Sequence, residues 1–290
     1  MARSADLCIL PNGKRLQEFV RKTGRTKPTE LVWNVPSLEE VGPEKRPANL
    51  AGPLRLFYGG SLSQERLPWA VLQVILGFRG RVRLDVVGYA NYEDVDYPAT
   101  IREADAGLGI VRYHGALPER RDLFRVMEEC EAALCLMPTR SRYVGMQTMA
   151  GASNKPFDAM ARGLAVVISD LPAWTSMYLE EQKEESGAGG GPGCGIPDAG
   201  EKSNAKGTMS KDARNPEFRV PEPGKGYGVA IDPESGESIR AGLQWMLNNR
   251  EKLWEMGERG RLKIRKEWNY ERMFQPVLDR LKVGKIESSA

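Results

Sequence analysis

Residues 153–170 read S-N-K-P-F-D-A-M-A-R-G-L-A-V-V-I-S-D. Ser153 or Asn154 suits an N-cap, Pro156 falls in the first helical turn, and Asp158 stands where a capping-box acid faces free backbone amides. Gly163 stops the helix. Leu164 to Ile168 is an unbroken apolar, mostly β-branched run of the kind that fills a parallel strand covered on both faces. The stretch is therefore loop, short helix, buried strand. The helix start, with unpaired N–H groups and the positive end of the dipole, favours an anion, and Lys155 adds a full charge there. Asp158 repels phosphate, but a carboxylate one turn on can accept hydrogen bonds from a ribose diol. Together they suggest a nucleotide. Helix capping and dipole compensation explain the same residues without a ligand.

On both sides of this unit strands alternate with helices. Upstream, the pattern predicts strands over 54–58, 82–87, 111–114 and 132–137, with helices over 67–78, 98–106 and 123–130 between them. Gly59 to Ser63 reads as a loop, Gly88 ends its strand, and a polar loop over 140–152 leads into the helix at Asn154. Downstream, a short strand begins at Tyr227, and amphipathic helices cover 238–247, 250–267 and 268–281. Such alternation predicts an α/β fold with a doubly wound parallel sheet, whose ligands bind outside the carboxyl ends of the strands. Gly59, Gly60, Gly88, Gly115, Pro138, Asn154 and Lys155 all fall at those ends.

A smaller α/β unit, with strands over 7–10 and 31–35 around a helix over 14–22, precedes an aperiodic linker over 37–53. Alone it is too small to hold a core and must dock on something. From about 180 to 225 the pattern collapses into E-E-Q-K-E-E-S-G-A-G-G-G-P-G and a polar tract, which predicts a disordered insert.

Composition narrows the function. With 290 residues, 41% of them hydrophobic, the chain can bury a real core. Its net charge is +3, with both signs interleaved, so nucleic acid is not implied. Cys8, Cys130, Cys135 and Cys194 lack metal-ligand spacing and His114 is the one histidine, which supports neither a zinc site nor a disulfide framework and fits a reducing cytoplasm. No apolar run reaches membrane-spanning length and no signal-peptide core follows Met1, a pattern still compatible with peripheral attachment to a membrane.

The ordered set Leu56-Phe57-Tyr58-Gly59-Gly60 with Arg66, Val86-Val87-Gly88, Tyr113-His114-Gly115, Ala132 to Pro138, Asn154 to Gly163 with Val166 to Asp170, and Gly228 to Pro233 resembles the retaining, nucleotide-sugar-dependent glycosyltransferases of the two-Rossmann-domain (GT-B) type, group 1 or family 4. The resemblance covers about 54–281 apart from the insert. It implies that 54–267 is the donor-binding Rossmann domain, that 1–36 is a remnant of the amino-terminal domain, and that 268–290 is a helix and tail crossing back to it. It also implies that a complete member carries more chain before Ala5, with the acceptor site.

The same resemblance assigns roles. Gly59, Gly60 and Ser61 let backbone approach the diphosphate; Arg66 and Lys155 neutralise it and serve catalysis. Asp158 holds the ribose, Gly115 and Ala116 lie near the base, and Asn154 and Phe157 flank Lys155 at the donor. The donor is a UDP- or GDP-sugar, with no further cofactor and no metal. The chain departs from the family where a pair of glutamates separated by seven residues is replaced by Ala150 and Asp158. The implied function is the donor-binding portion of a glycosyltransferase, inactive alone or completed by an acceptor-domain subunit. The competing readings are a non-catalytic nucleotide-sugar-binding or interaction module and, less favoured, a nucleotide-sugar epimerase, whose acid and base residues do not stand out.

Overall fold

The computed structural model of the chain describes residues 3–45, 51–90, 92–140, 149–180 and 218–287. Its body is a seven-stranded sheet built from β3 (Leu54–Leu62), β4 (Val82–Ala90), β5 (Val111–Tyr113), β6 (Ala132–Cys135), β7 (Ala165–Ser169), β8 (Phe218–Arg219) and β9 (Gly228–Ile231). The order is β5-β4-β3-β6-β7-β9-β8, parallel except for β8. From β3 the chain winds outward to β5, then returns to β6 and winds the other way, so the direction reverses between β3 and β6. The doubly wound expectation holds, and this reversal is where such sheets open a crevice.

Helices cover both faces. α2 (Trp69–Gly77), α3 (Tyr97–Asp105) and α7 (Gly236–Asn248) pack one side, with Leu56, Leu84, Val167 and Ile239 in a common core. α4 (Arg120–Glu128), α5 (Asn154–Ala161), α6 (Pro172–Tyr178) and much of α8 (Arg250–Lys266) and α9 (Tyr270–Glu287) pack the other. All five residues of β7 are buried, as its unbroken apolar run requires.

The glycines of β3 and β4 do not end their strands. Both strands run nine residues in parallel register, through Gly59↔Val87 and Gly60↔Gly88. A Cβ on Gly88 would lie 1.8 Å from the carbonyl oxygen of Gly60, and the two residues hold φ of 154° and 128°. Glycine here permits a close approach that continues the ladder, so the loop expected over 59–63 is mostly strand.

The amino-terminal unit is a two-stranded parallel sheet, β1 (Cys8–Leu10) and β2 (Thr29–Leu31), joined by α1 (Gly13–Thr23). The second strand stops at Leu31 instead of reaching 35. Val32 and Trp33 leave the ladder for the larger core, where Trp33 stacks on Phe157 with ring centroids 5.9 Å apart and meets Trp268 edge-on at 5.5 Å. The Asn34 side-chain amide donates to the Ala152 carbonyl at 2.7 Å, and that of Asn12 to Ala150, fastening the unit to the loop before α5.

The linker is aperiodic but docked. A 3-10 turn occupies Leu38–Glu40, Gly42 N–H donates to the Ala161 carbonyl at 2.9 Å, and Lys45 Nζ reaches the carbonyls of Met127 and Cys130. Its backbone is satisfied by neighbouring helices rather than by a repeat of its own, which is why no periodicity reveals it. Residues 46–50 lie outside the described residues. So does most of the expected insert, 181–217. Its expected end at 225 is too late: Phe218–Arg219 pairs with β9, the Phe218 ring lies 6.2 Å from Trp245, and Arg219 donates to Asp170 at 2.9 Å.

Candidate functional site

Where the winding reverses between β3 and β6, the place at which such sheets open a ligand crevice, Gly59 and Gly60 lie beside Lys155, with Arg66 nearby. α5 begins where the sequence pattern places it, with Ser153 at the N-cap position (φ −87°, ψ 122°). Its hydroxyl makes no capping bond, and the Asp158 carboxylate turns elsewhere, so no capping box forms. Lys155, in the first turn, extends over the end of β3. Its ammonium stands 4.3 Å from the Tyr58 ring centroid and donates to the Tyr58 hydroxyl at 3.1 Å. A Cβ on Gly60 would sit 2.6 Å from Lys155 Cε, so the missing side chain is what admits the lysine. Arg66 arrives from the turn after β3, where its N–H donates to Ser63 Oγ at 3.2 Å, and its guanidinium reaches 3.8 Å from Met137 Sδ just beyond β6.

Burial, and then the positive charge of Arg66, pull the Lys155 ammonium from its ordinary value down to about 7. Burial also holds the Tyr58 hydroxyl well above the usual range, so it stays protonated. Burial and the neighbouring guanidinium both disfavour the Lys155 ammonium, and an anion beside it would offset both.

One turn along α5 the arrangement inverts. Asp158 is 4% exposed and both its oxygens are engaged, Oδ1 by Arg120 Nη2 at 2.9 Å and Oδ2 by Asn154 Nδ2 at 3.1 Å. Burial raises its pKa against the pull of Arg120. Arg120 also pairs with Glu40 of the docked linker at 2.5 Å. Gly115, with φ 77° and open space where a Cβ would be, accepts from Gly88 N–H at 2.9 Å, and exposed Ala116 follows it. The segment from Gly115 to Arg120 thus runs from the tip of β4 to the Asp158 carboxylate.

The structure therefore brings Gly59, Gly60, Arg66 and Lys155 together, with Ser61 next along β3, and places Asn154, Asp158, Gly115 and Ala116 around them. Phe157 is different. Its ring is fully buried between Trp33 and Trp268, 5.9 Å from each, so only its backbone is left for a ligand. Ala150 is buried and carries no hydrogen-bonding side chain.

No protein-family model and no curated protein matches the chain. Solved structures do. HepE of Anabaena, crystallised with UDP and glucose, aligns with 96% of this chain and 64% of its own at a TM-score of 0.61 and 13% identity. TarM aligns with 96% of this chain and 44% of its own, at a TM-score of 0.57 and 11% identity. The carboxyl-terminal domain of a group 1 glycosyl transferase family protein, LpcC of Francisella tularensis, aligns over 98% of its length with 80% of this chain, at a TM-score of 0.50 and 10% identity. This is the GT-B glycosyltransferase fold. The seven-stranded sheet matches the carboxyl-terminal, Rossmann-like half of GT-B, and the chain spans under two thirds of HepE and under half of TarM.

Sequence reasoning missed two side chains that contact the residues it named, Tyr58 beside Lys155 and Arg120 on Asp158. Tyr58 reads as an ordinary core aromatic. Arg120 carried a signal: Arg120 and Arg121 open a helix, where the dipole disfavours cations, so a pairing elsewhere has to hold them.

Proposed function

We propose that the crevice binds a nucleoside diphosphate sugar and that the chain is the donor-binding portion of a retaining glycosyltransferase. The observation that carries this reading is the convergence of Lys155 and Arg66 above Gly60 at the point where the winding of the sheet reverses. A diphosphate there meets two cations, glycine backbone with no Cβ of its own, and the start of α5. As the bond from the sugar to the diphosphate opens, negative charge grows on the leaving group, and these fixed positive groups stabilise it. Asp158 accepts the ribose hydroxyls, taking the place of one of its present donors, and Gly115 with Ala116 borders the base. With Ala150 and Asp158 in place of a carboxylate pair, no double displacement is supported, and the acceptor attacks from the face the diphosphate leaves. UDP is the first nucleotide to try, because HepE was crystallised with UDP-glucose.

A second reading has an observation of its own. Both oxygens of Asp158 are committed within the protein and Ala150 offers nothing to a sugar, an arrangement that suits a nucleotide-sugar-binding module without turnover. We further propose that acceptor recognition falls to an additional α/β surface, since the amino-terminal unit offers only two strands among the described residues. Calorimetry with UDP, UDP-glucose, GDP and GDP-mannose tests the donor site, and saturable binding of one base over the other is expected. Absence of saturable binding by all four sinks the reading. Release of UDP or GDP on adding acceptors then separates transferase from binding module.

A further inference from the structure

A second cationic cluster lies on the α4 side of the sheet, toward the starts of the strands. Arg55 of β3 pairs in register with Arg83 of β4, and Asp85 of β4 with Arg112 of β5, so all four share one face at the sheet's edge. With Gly109 and Glu129 they line a groove. Arg83 stands five residues before Gly88 on β4, roughly 16 Å from the donor crevice at about 3.3 Å per residue.

The carboxylates of this groove are already committed. Asp85, 3% exposed, receives Arg55 Nη2 at 3.0 Å on one oxygen and stands 2.7 Å from His114 Nε2 on the other. Glu129 pairs with the other arm of Arg55. Arg83 and Arg112 are exposed and make no hydrogen bond or ion pair with any described residue. The wall beside them is fixed, because the buried Asp105 carboxylate accepts from the N–H groups of Gly109, Ile110 and Val111 at 2.7 to 2.8 Å. Arg83 and Arg112 have no bonded partner of their own among the described residues, while Arg55 beside them is shared by the two carboxylates Asp85 and Glu129, so three arginines face two acids and the groove keeps a net positive charge.

We propose that this groove binds a phosphate monoester, with Arg83 and Arg112 as its forks. A phosphate monoester presents three terminal oxygens, enough for both guanidiniums to bond at once with one oxygen shared, whereas a carboxylate supplies two oxygens in total. Arg55 is the rigid floor, held by Asp85 and Glu129. The monoester can belong to a small soluble molecule or to a lipid headgroup.

The test uses the full chain carrying Lys155→Ala, which weakens phosphate binding at the donor crevice, and shifts are read residue by residue so that the two sites are told apart. Backbone amide spectra are followed while inorganic phosphate, and separately glycerol 3-phosphate, is added. Saturable shifts at Gly109 to Arg112 are expected, weakened about tenfold by Arg83→Gln or Arg112→Gln and abolished in the double variant. Both arginines are exposed, so unchanged melting temperatures show that the variants remain folded. Co-sedimentation with phosphatidic acid vesicles, against phosphatidylcholine vesicles, identifies the source: arginine-dependent sedimentation assigns a lipid, and binding of the soluble monoester alone assigns a metabolite. Shifts that never saturate, or that persist in the double variant with no arginine-dependent sedimentation, overturn the proposal and leave the groove a charged edge that discourages strand addition.

Discussion

Lys155 and Asp158 sit three residues apart on α5, in opposite electrostatic surroundings. Lys155 faces Arg66 and an aromatic hydroxyl and has no carboxylate partner among the described residues, and its ammonium is pulled down to about 7. Asp158 faces Arg120 and Asn154 and has both oxygens satisfied. Lys155 is held beside a second cation with no carboxylate of its own among the described residues, whereas Asp158 is internally balanced. A ligand at the first relieves a cost the fold already carries, while a ligand at the second must displace a bond already made. On this reading most donor affinity comes from phosphate, and the ribose contact adds selectivity more than strength.

The largest effect should fall on the cationic end. Lys155→Ala is expected to weaken UDP binding by about 1.5–3 kcal/mol, the loss of one charge-assisted hydrogen bond, or roughly tenfold to over a hundredfold in Kd by calorimetry. An unchanged Kd in a folded variant breaks the comparison outright. Next comes Arg120→Ala, which leaves Asp158 buried with Asn154 alone. Unfolding in urea should show a loss of about 2 kcal/mol, below the full cost of orphaning a buried charge because Arg120 is itself half-exposed. Adding Asp158→Asn removes the orphaned charge and should recover much of it. No recovery would mean that Arg120 acts through Glu40 and the linker instead.

These two residues also mark where the sequence was readable. The doubly wound parallel sheet follows from the alternation of apolar runs and amphipathic helices, and Lys155 and Gly60 stand out from their places at the expected strand ends. Arg120 does not, because its pairing with Asp158 spans 38 residues and depends on how α4 and α5 pack. Long-range packing likewise hides the docked linker, whose bonds run to α4, α5 and α8, and the edge strand at Phe218, anchored by Trp245 and Asp170. Phe157 was drawn into the binding set by its neighbours in sequence. Its ring belongs to the aromatic core, because a residue two positions beyond Lys155 on a helix points to a different side.

Lys155 also sharpens the comparison through pH. In the empty folded chain its proton leaves near pH 7, whereas in the unfolded chain it is held to about 10.4. Between those values the unfolded state binds more protons, so this residue makes the empty chain more stable as pH rises, by up to about 1.4 kcal/mol per pH unit. Donor binding should run the other way, since a diphosphate favours the protonated ammonium: Kd is expected to rise from pH 7 toward 9. Lys155→Met should flatten both slopes, the first measured by urea unfolding and the second by calorimetry. Parallel slopes, or slopes that survive the substitution, would show that the crevice does not draw its affinity from this charge.

The smallest effect belongs to Asp158, and it is the one that resolves the two ends. Asp158→Asn keeps the size of the side chain and one acceptor oxygen but removes the charge, so Arg120 loses an ion pair while the ribose loses a charge-assisted acceptor. Because the ligand exchanges one hydrogen bond for another at this end, the net loss in UDP binding should be about 0.5–1.5 kcal/mol. Pyrophosphate has no ribose, and its affinity should not change. Lys155→Ala, by contrast, should weaken UDP and pyrophosphate alike. If Asp158→Asn weakens both ligands equally, the aspartate acts by holding α5 and Arg120 in place and not by touching the sugar of the nucleotide. If it weakens UDP as much as Lys155→Ala does, the balanced end contributes as strongly as the cationic one, and the proposed division between strength and selectivity fails.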